Sequence, residues 1–304
     1  MEPIIEMNGV SKIFRDKKAV NQLSFQIPQG SITAILGPNG AGKTTAISML
    51  LGLLEPTEGS VRLFGQAPKE RAVRQKTGAM LQDISVLDRL KVQEVLELVR
   101  SYYPNPLELT ELARLAGLAS GDMNRYADKL SGGQKRSLGF ALALAGNPEL
   151  IFLDEPTVGL DIKARRQFWN NVRQLSKQGK TILFTTHYLQ EADDIADRIL
   201  LFSQGSLIAD GTPEEIKARI VGRSISFIAE DDGPRLRARL LELEPVIDCY
   251  DRDGRIHLTT NDTDDALAAL FTSGLPRVSN IQIEQGRLEE AFEQLTNPQE
   301  TELM

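Results

Sequence analysis

Residues Gly37-Pro38-Asn39-Gly40-Ala41-Gly42-Lys43-Thr44 have the spacing G-x-x-x-x-G-K-[ST], which suits them to gripping the phosphates of a nucleoside triphosphate. The glycines let backbone N–H groups converge on phosphate oxygens with no Cβ in the way. A helix starting at the end of the loop adds the positive end of its dipole. Lys43 offers a point charge to the outer phosphates, and the Thr44 hydroxyl a ligand to magnesium. With Thr45 beside them, these residues form the expected nucleotide-binding set. The context fits on both sides, because Ile32-Thr33-Ala34-Ile35-Leu36 is an apolar strand-like run and Ala46 to Leu51 has helical periodicity.

A second constellation is Glu149-Leu150-Ile151-Phe152-Leu153-Asp154-Glu155, an apolar strand that ends in two carboxylates. A strand tip beside a phosphate loop is where magnesium needs an acidic ligand, and Asp154 suits that role. Glu155, one position on, suits a general base toward an attacking water. The third is Leu130-Ser131-Gly132-Gly133-Gln134, followed by a helical segment over 134–145. This is another helix N-terminus able to grip phosphate. One nucleotide already has a full cradle at 37–44, so a second grip points to sites completed by another subunit.

Elements of two kinds must position these residues. Ile4 to Val10, Leu23 to Ile27 and Ser60 to Phe64 alternate as strands, and Ile32 to Leu36 feeds the phosphate loop. Gln93 to Ser101 and Glu108 to Ala116 have helical spacing. Leu150 to Leu153 and Thr181 to Phe184 are short continuous apolar runs, as buried parallel strands require, with a helix over Lys163 to Lys177 between them. The βαβ order predicts an α/β core.

The 304 residues exceed one ordinary core and predict two domains. Hydrophobic residues make up 41% and charged residues 25%, an ordinary globular balance. No apolar stretch approaches the ~20 residues of a membrane span, and the N-terminus lacks a signal-peptide pattern. A cytoplasmic protein is the expectation. The single Cys249 excludes an internal disulfide and a cysteine-built zinc site, and reads as a small buried side chain.

From Val221 onward there are 8 arginines, no lysine and 17 acidic residues, a poor surface for nucleic acid. The strand-helix pattern restarts there: Ser224 to Ala229 as a strand, Pro234 to Leu243 helical, and Val246 to Arg252 and Arg255 to Thr260 flanking the Asp253-Gly254 turn. Thr263 to Phe271 is helical, Asn280 to Glu284 alternates, and Leu288 to Leu295 is helical. The order βαββαβα predicts a small ferredoxin-like sandwich with an extra helix. The tail 297–304 reads as frayed.

The phosphate loop, Leu130 to Gln134 and Leu153-Asp154-Glu155-Pro156-Thr157 occur in the order and approximate spacing of the ATP-binding subunits of ABC (ATP-binding cassette) transporters, which this chain resembles over residues 4 to about 220. The resemblance implies ATP and Mg²⁺ as the ligands. It implies that Gln82, in Met80-Leu81-Gln82-Asp83, reaches magnesium and the attacking water. Phe14 matches the aromatic that stacks on adenine, where Tyr is more usual. Asp161 matches a loop that touches the partner subunit, and His187 matches the switch histidine near the γ-phosphate. Ser131 and Gly133 then grip the nucleotide of the other copy in a head-to-tail homodimer. Trp169 reads as helix packing, and His257 has no assigned role.

Thr185 to Ala192, Ala209 to Ile216 and Gln285 to Phe292 resemble the bacterial type-2 export branch, with Gln134 a departure where that branch often has Met. The expected architecture is an α/β P-loop cassette, 1–220, with an antiparallel β subdomain and a helical subdomain, then a small α+β domain, 221–304. The implied function is ATP hydrolysis driving export through a separate membrane permease at the cytoplasmic face of the plasma membrane. An importer ATPase with a regulatory C-terminal domain is an alternative that shares all the cassette chemistry. A ribosome- or DNA-acting ABC ATPase fits less well, lacking a second cassette or a coiled-coil insertion. A GTPase or small-molecule kinase does not account for Leu130 to Gln134.

Overall fold

The structure, a computed structural model, describes residues 3–15, 17–82, 89–220, 223–229, 234–252, 254–260, 262–272, 278–284, 288 and 292. Two long strands open the chain, β1 (Pro3–Phe14) and β2 (Lys17–Pro28), and β3 (Ile32–Leu36) then leads to helix α1 (Lys43–Leu50). Next come β4 (Glu58–Leu63), α2 (Arg71–Lys76) and β5 (Thr77–Met80). A helical stretch follows: α3 (Val92–Arg100), α4 (Leu109–Ala116), α5 (Ser120–Met123) and α6 (Gly132–Leu144). The chain returns to strands with β6 (Leu150–Asp154), α7 (Ile162–Lys177), β7 (Thr181–Thr185), α8 (Leu189–Ile195), β8 (Arg198–Ser203) and β9 (Ser206–Gly211).

These elements make one compact unit, Met1–Thr212. Its main sheet has the order β5-β6-β7-β3-β8-β9, parallel except for the β9 edge. Every residue of β3, β6 and β7 is buried, which is why their sequences are continuous apolar runs rather than alternating ones. The antiparallel sheet β2-β1-β4 alternates instead, burying Val20, Leu23, Phe25 and Ile27 along β2. One apolar cluster joins this sheet to α1 and to the parallel sheet, through Ile5, Met7, Ile47, Leu50, Phe152 and Phe202. Helix α1 is therefore clamped between two sheets, and the loop at its N-terminus starts from a rigid base.

Helices α3 and α4 bury one stripe each, Val92, Val95 and Leu96, and Leu112, Leu115 and Ala116. Helix α6 lies against β5 so closely that a Cβ on Gly78 would stand 2.0 Å from the Ala143 carbonyl oxygen. Trp169 packs on Phe168 and Phe184, with ring centroids 5.3 and 4.7 Å away.

The second unit, Pro213–Met304, contains α9 (Pro213–Ile220), β10 (Arg223–Ala229), α10 (Pro234–Leu241), β11 (Val246–Arg252), β12 (Arg255–Thr260), α11 (Thr263–Thr272) and β13 (Val278–Glu284). A boundary at 220/221 assigned α9 to the first unit; its contacts place it in the second. The antiparallel sheet has the order β11-β12-β10-β13, the strand arrangement of a ferredoxin-like βαββαβ sandwich. Its core holds Ile225, Phe227, Leu240, Leu258 and Leu270, and Cys249 is buried there. Burial pushes the Cys249 thiol up, so it stays a protonated packing group. His257 is also buried, stacked on Tyr250. Of the expected helix over 288–295, Leu288 and Phe292 are helical and the rest lies outside the described residues, as do Asp253 and the tail 297–304.

Candidate nucleotide-binding and hydrolysis site

The carboxyl ends of four neighbouring parallel strands converge on one rim. Register aligns Ile35 of β3, Thr185 of β7 and Asp154 of β6 in a row, with Met80 of β5 beside Leu153. Each strand then releases a chemistry-bearing segment at that edge: residues 37–44 after β3, Glu155 after β6, His187 after β7 and Gln82 after β5. Ligand sites in open α/β sheets form at such edges.

The loop geometry requires its glycines. Gly42 caps α1 in the left-handed region at φ 99°, and a Cβ there would stand 2.7 Å from the Ala19 carbonyl oxygen. A Cβ on Gly37 would stand 2.4 Å from the Phe202 carbonyl oxygen. The α1 N-terminus carries no side-chain cap and no acidic residue in its first turn, so its N–H groups are left for an anion. The half-buried Lys43 ammonium donates to the carbonyls of Gly37, at 2.6 Å, and Pro38, at 3.1 Å. Burial pushes the Lys43 amine below the ordinary lysine value, and the carboxylates of Glu155 and then Asp154 pull partly the other way. Thr44 is exposed on the first turn of α1, with Thr45 half-buried next to it.

Asp154 is buried, and one of its oxygens, Oδ1, accepts from the Thr185 hydroxyl at 2.5 Å. The same hydroxyl accepts from the Glu155 N–H at 3.0 Å. Thr185 thus ties both acidic residues to β7. Glu155 itself sits at φ 48°, a left-handed conformation that costs of order 1–3 kcal/mol for a non-glycine residue. Strain of this kind at a strand tip turns the side chain out of the strand's alternation. The Glu155 Oε2 lies 2.6 Å from Nδ1 of His187, whose ring is about half exposed and rests against Tyr188 at 4.0 Å between centroids.

Gln82 is exposed two residues beyond β5, and its neighbour Asp83 lies outside the described residues. Phe14 ends β1 with its ring 47% exposed, and the Lys12 ammonium stands 5.3 Å from the ring centroid. An exposed ring with a cation beside it offers a face for a purine and a charge for its phosphates. Among the described residues, no group of three or more His, Cys, Asp or Glu could hold a metal alone. Thr44 and the Asp154 carboxylate fit magnesium shared with phosphate oxygens, since this ion takes one or two protein oxygens and fills its shell from substrate and water.

The second grip is built on the N-terminus of α6. Ser131 caps it, its hydroxyl accepting from the Gln134 N–H at 3.3 Å while the Gln134 Oε1 accepts from the Ser131 N–H at 3.0 Å. Gln134 also donates to Asp122 at 2.8 Å and accepts from Arg125 at 3.0 Å. A methionine at 134 would keep the backbone N–H bond to Ser131 but none of the three bonds made by the glutamine side chain. Ser131 is exposed and Gly133 half-buried, so this helix start faces outward from its own chain. Asp161 caps α7, accepting from the Ala164 N–H at 2.8 Å, and is exposed as well.

Sequence reasoning passed over Thr185, Glu191 and the partners of Gln134. The signal for Thr185 was a hydroxyl at the tip of an apolar run just before His187. Its pairing with Asp154, 31 positions away, comes from parallel register that no local pattern encodes.

A phosphate loop on β3–α1, an acidic strand tip on β6 and a histidine after β7 define a P-loop nucleotide-binding cassette. Residues 20–158 match the ABC transporter family. The chain is 38% identical over 246 residues to the Nod factor export ATP-binding protein I of Burkholderia lata, covering 78% of this chain and 80% of that one. It is 34% identical over 307 residues to the daunorubicin resistance ATP-binding protein DrrA3 of Streptomyces coeruleorubidus, covering 96% and 95%. A solved dimeric ATP-binding cassette in a post-hydrolysis state, bound to ADP and Pi, superposes with a TM-score of 0.63 at 26% identity, over 68% of this chain and 98% of that one. The chain belongs to the ABC transporter family, as one of its ATP-binding proteins.

Proposed function

We propose that the chain hydrolyses ATP and that this hydrolysis powers export through a separate membrane permease subunit. The observation that carries the reading is the contact of Glu155 with His187 at 2.6 Å, on the rim that also holds Lys43 and Asp154. Lys43 exchanges the carbonyls of Gly37 and Pro38 for phosphate oxygens when ATP enters. Residues 37–44 and Thr45 surround the phosphates, and Phe14 stacks on the adenine. Thr44, Asp154 and Gln82 would hold magnesium, which when bound would supply charge neutralisation at the outer phosphates. Glu155 accepts the proton of the attacking water, and His187, oriented by Glu155, contacts the γ-phosphate.

The outward-facing start of α6 supports a composite site. In a homodimer with ATP between the copies, Ser131 and Gly133 of one copy close over the nucleotide held by residues 37–44 of the other. ATP then favours the closed dimer by binding it better than the open one. No helix among the described residues is long and apolar enough to cross a membrane. The proposed place of the chain is beside its permease, on the cytoplasmic face of the plasma membrane. The second unit carries none of the nucleotide-site residues, and steadying the dimer is its proposed task. Its acidic balance argues against nucleic acid as a partner.

The reading is tested by extracting the protein from its native membrane in mild detergent. Magnesium-dependent ATP turnover, with a polytopic membrane protein co-purifying, is the expected result. Ribosomes or DNA in its place would overturn the export assignment.

A further inference from the structure

The Glu191 carboxylate on α8 is buried, with its side chain 7% exposed, and it touches three separate segments of the site. Its Oε1 accepts from the Thr157 hydroxyl at 2.6 Å, and its Oε2 from the Thr186 hydroxyl at 2.9 Å. Arg165 on α7 places its Nε 3.4 Å from Oε1, an ion-pair contact without hydrogen-bond geometry. Thr157 lies two residues after Glu155, and Thr186 immediately precedes His187. Thr186 Oγ1 also accepts from the Tyr188 N–H at 3.0 Å, and the Arg165 guanidinium stands 4.3 Å from the Tyr188 ring centroid. That ring in turn packs on His187.

We propose that Glu191 is a positioning residue for hydrolysis, clasping the loop that carries Glu155 to the loop that carries His187. The inference rests on the ATP-hydrolysis reading above. Neither oxygen is interchangeable with an amide. In a glutamine variant one hydroxyl would face an NH₂ group and would have to turn from donor to acceptor. Thr186 Oγ1 already accepts from Tyr188, so the exchange disturbs the residue next to His187. The Glu155–His187 contact spans two loops joined here through the buried carboxylate, and a small displacement of either separates the pair. Misplacement of a reacting group by about 1 Å costs up to roughly a hundredfold in rate. Nucleotide binding is assigned to residues 37–45, Phe14 and the other copy's Ser131 and Gly133, whereas the polar partners of the Glu191 carboxylate are Thr157, Thr186 and Arg165.

The test compares Glu191→Gln, Thr186→Val and Thr186→Ser with the parent protein, in steady-state Mg-ATP turnover, ATP affinity and thermal midpoint. Glu191→Gln and Thr186→Val should each lose roughly tenfold to a hundredfold in kcat, with KM and ATP affinity within about threefold of the parent. Thr186→Ser keeps the hydroxyl and should keep kcat. The double variant Glu191→Gln with Thr186→Val should lose little more than the worse single variant, since both cut one path. Parental kcat in a folded Glu191→Gln protein would overturn the clasp. So would equal losses of affinity, thermal midpoint and kcat in all variants, Thr186→Ser included, because that pattern marks packing alone. A parent that binds ATP without turning it over would overturn the hydrolysis reading itself, and does so before any variant is made.

Discussion

His187 Nδ1 and Glu155 Oε2 stand 2.6 Å apart across the ends of two adjacent strands, β6 and β7. An ionised carboxylate only accepts, so Nδ1 carries the hydrogen and Nε2 is the nitrogen left to meet a ligand. The carboxylate thereby sets the histidine tautomer. Glu155→Gln keeps the shape and removes the proposed base. It should lower kcat by about 10²- to 10⁴-fold while leaving ATP affinity intact. With hydrolysis blocked, an ATP-dependent dimer should accumulate on a sizing column. Native turnover by this variant would remove Glu155 from the base role.

Lys43 predicts a pH signature. Burial holds its free-state value below that of an ordinary lysine, and the phosphate oxygens of bound ATP raise it again. Below both values lysine is protonated with and without ATP, and affinity does not vary with its titration. Between them, binding takes up a proton, and affinity falls as pH rises. Calorimetry stepped from neutral pH up to the ordinary lysine value, in buffers of different ionisation heat, should therefore show proton uptake on ATP binding as the free-state value is passed. Absence of uptake between neutral pH and the ordinary lysine value would contradict contact between Lys43 and phosphate. Lys43→Ala should weaken binding by at least about 1.5–3 kcal/mol, the worth of a charge-assisted hydrogen bond.

Gln134 makes its own prediction, because its amide serves Ser131, Asp122 and Arg125 together. Gln134→Ala should leave ATP binding to the single chain unchanged. It should lower turnover about three- to tenfold, as the cap at Ser131 loosens by about 1 kcal/mol. Turnover equal to the parent's would mean that the α6 N-terminus needs no such support.

Thr185→Val should act on the metal. The hydroxyl occupies Asp154 Oδ1 and fixes which oxygen is free. Removing it should raise the magnesium concentration needed for half-maximal turnover by roughly ten- to a hundredfold, the usual cost of losing an outer-shell partner. An unchanged magnesium dependence would separate Asp154 from the metal.

Those four sites differ in how far the sequence discloses them. Residues 37–44 are contiguous, and their spacing alone dictates a phosphate loop with backbone positions, Gly37 and Gly42, that only glycine can fill. The buried strands β3, β6 and β7 announce themselves as continuous apolar runs. Strand β8 has a run of the same kind, Ile199 to Phe202, and was legible by that signal although not read from it. Strand β5 has only four residues, one of them Gly78, and exists because α6 packs onto it. The short helices α2, α5 and α8 carry too few turns for periodicity to register. Ser131 was legible as a helix cap, but its tie through Gln134 to Asp122 and Arg125 was not, since a glutamine has no fixed partner in sequence. The left-handed backbone of Glu155 and the hydroxyl of Thr185 between two carboxylate residues are consequences of strand register, which is a long-range property.

The composite site is tested most directly by mixing two inactive variants. Lys43→Ala removes the phosphate charge, and Ser131→Arg blocks the outward-facing start of α6; neither homodimer holds an intact site. In a mixed dimer, one site combines both lesions, and the other combines residues 37–44 of the Ser131→Arg chain with Ser131 of the Lys43→Ala chain, free of either. Equal mixing should restore turnover to roughly a quarter of the parental rate, given random pairing in a two-fold dimer. Turnover in the mixture no higher than the mean of the two separate variants would show that each site is built within one chain, and the head-to-tail arrangement would be wrong.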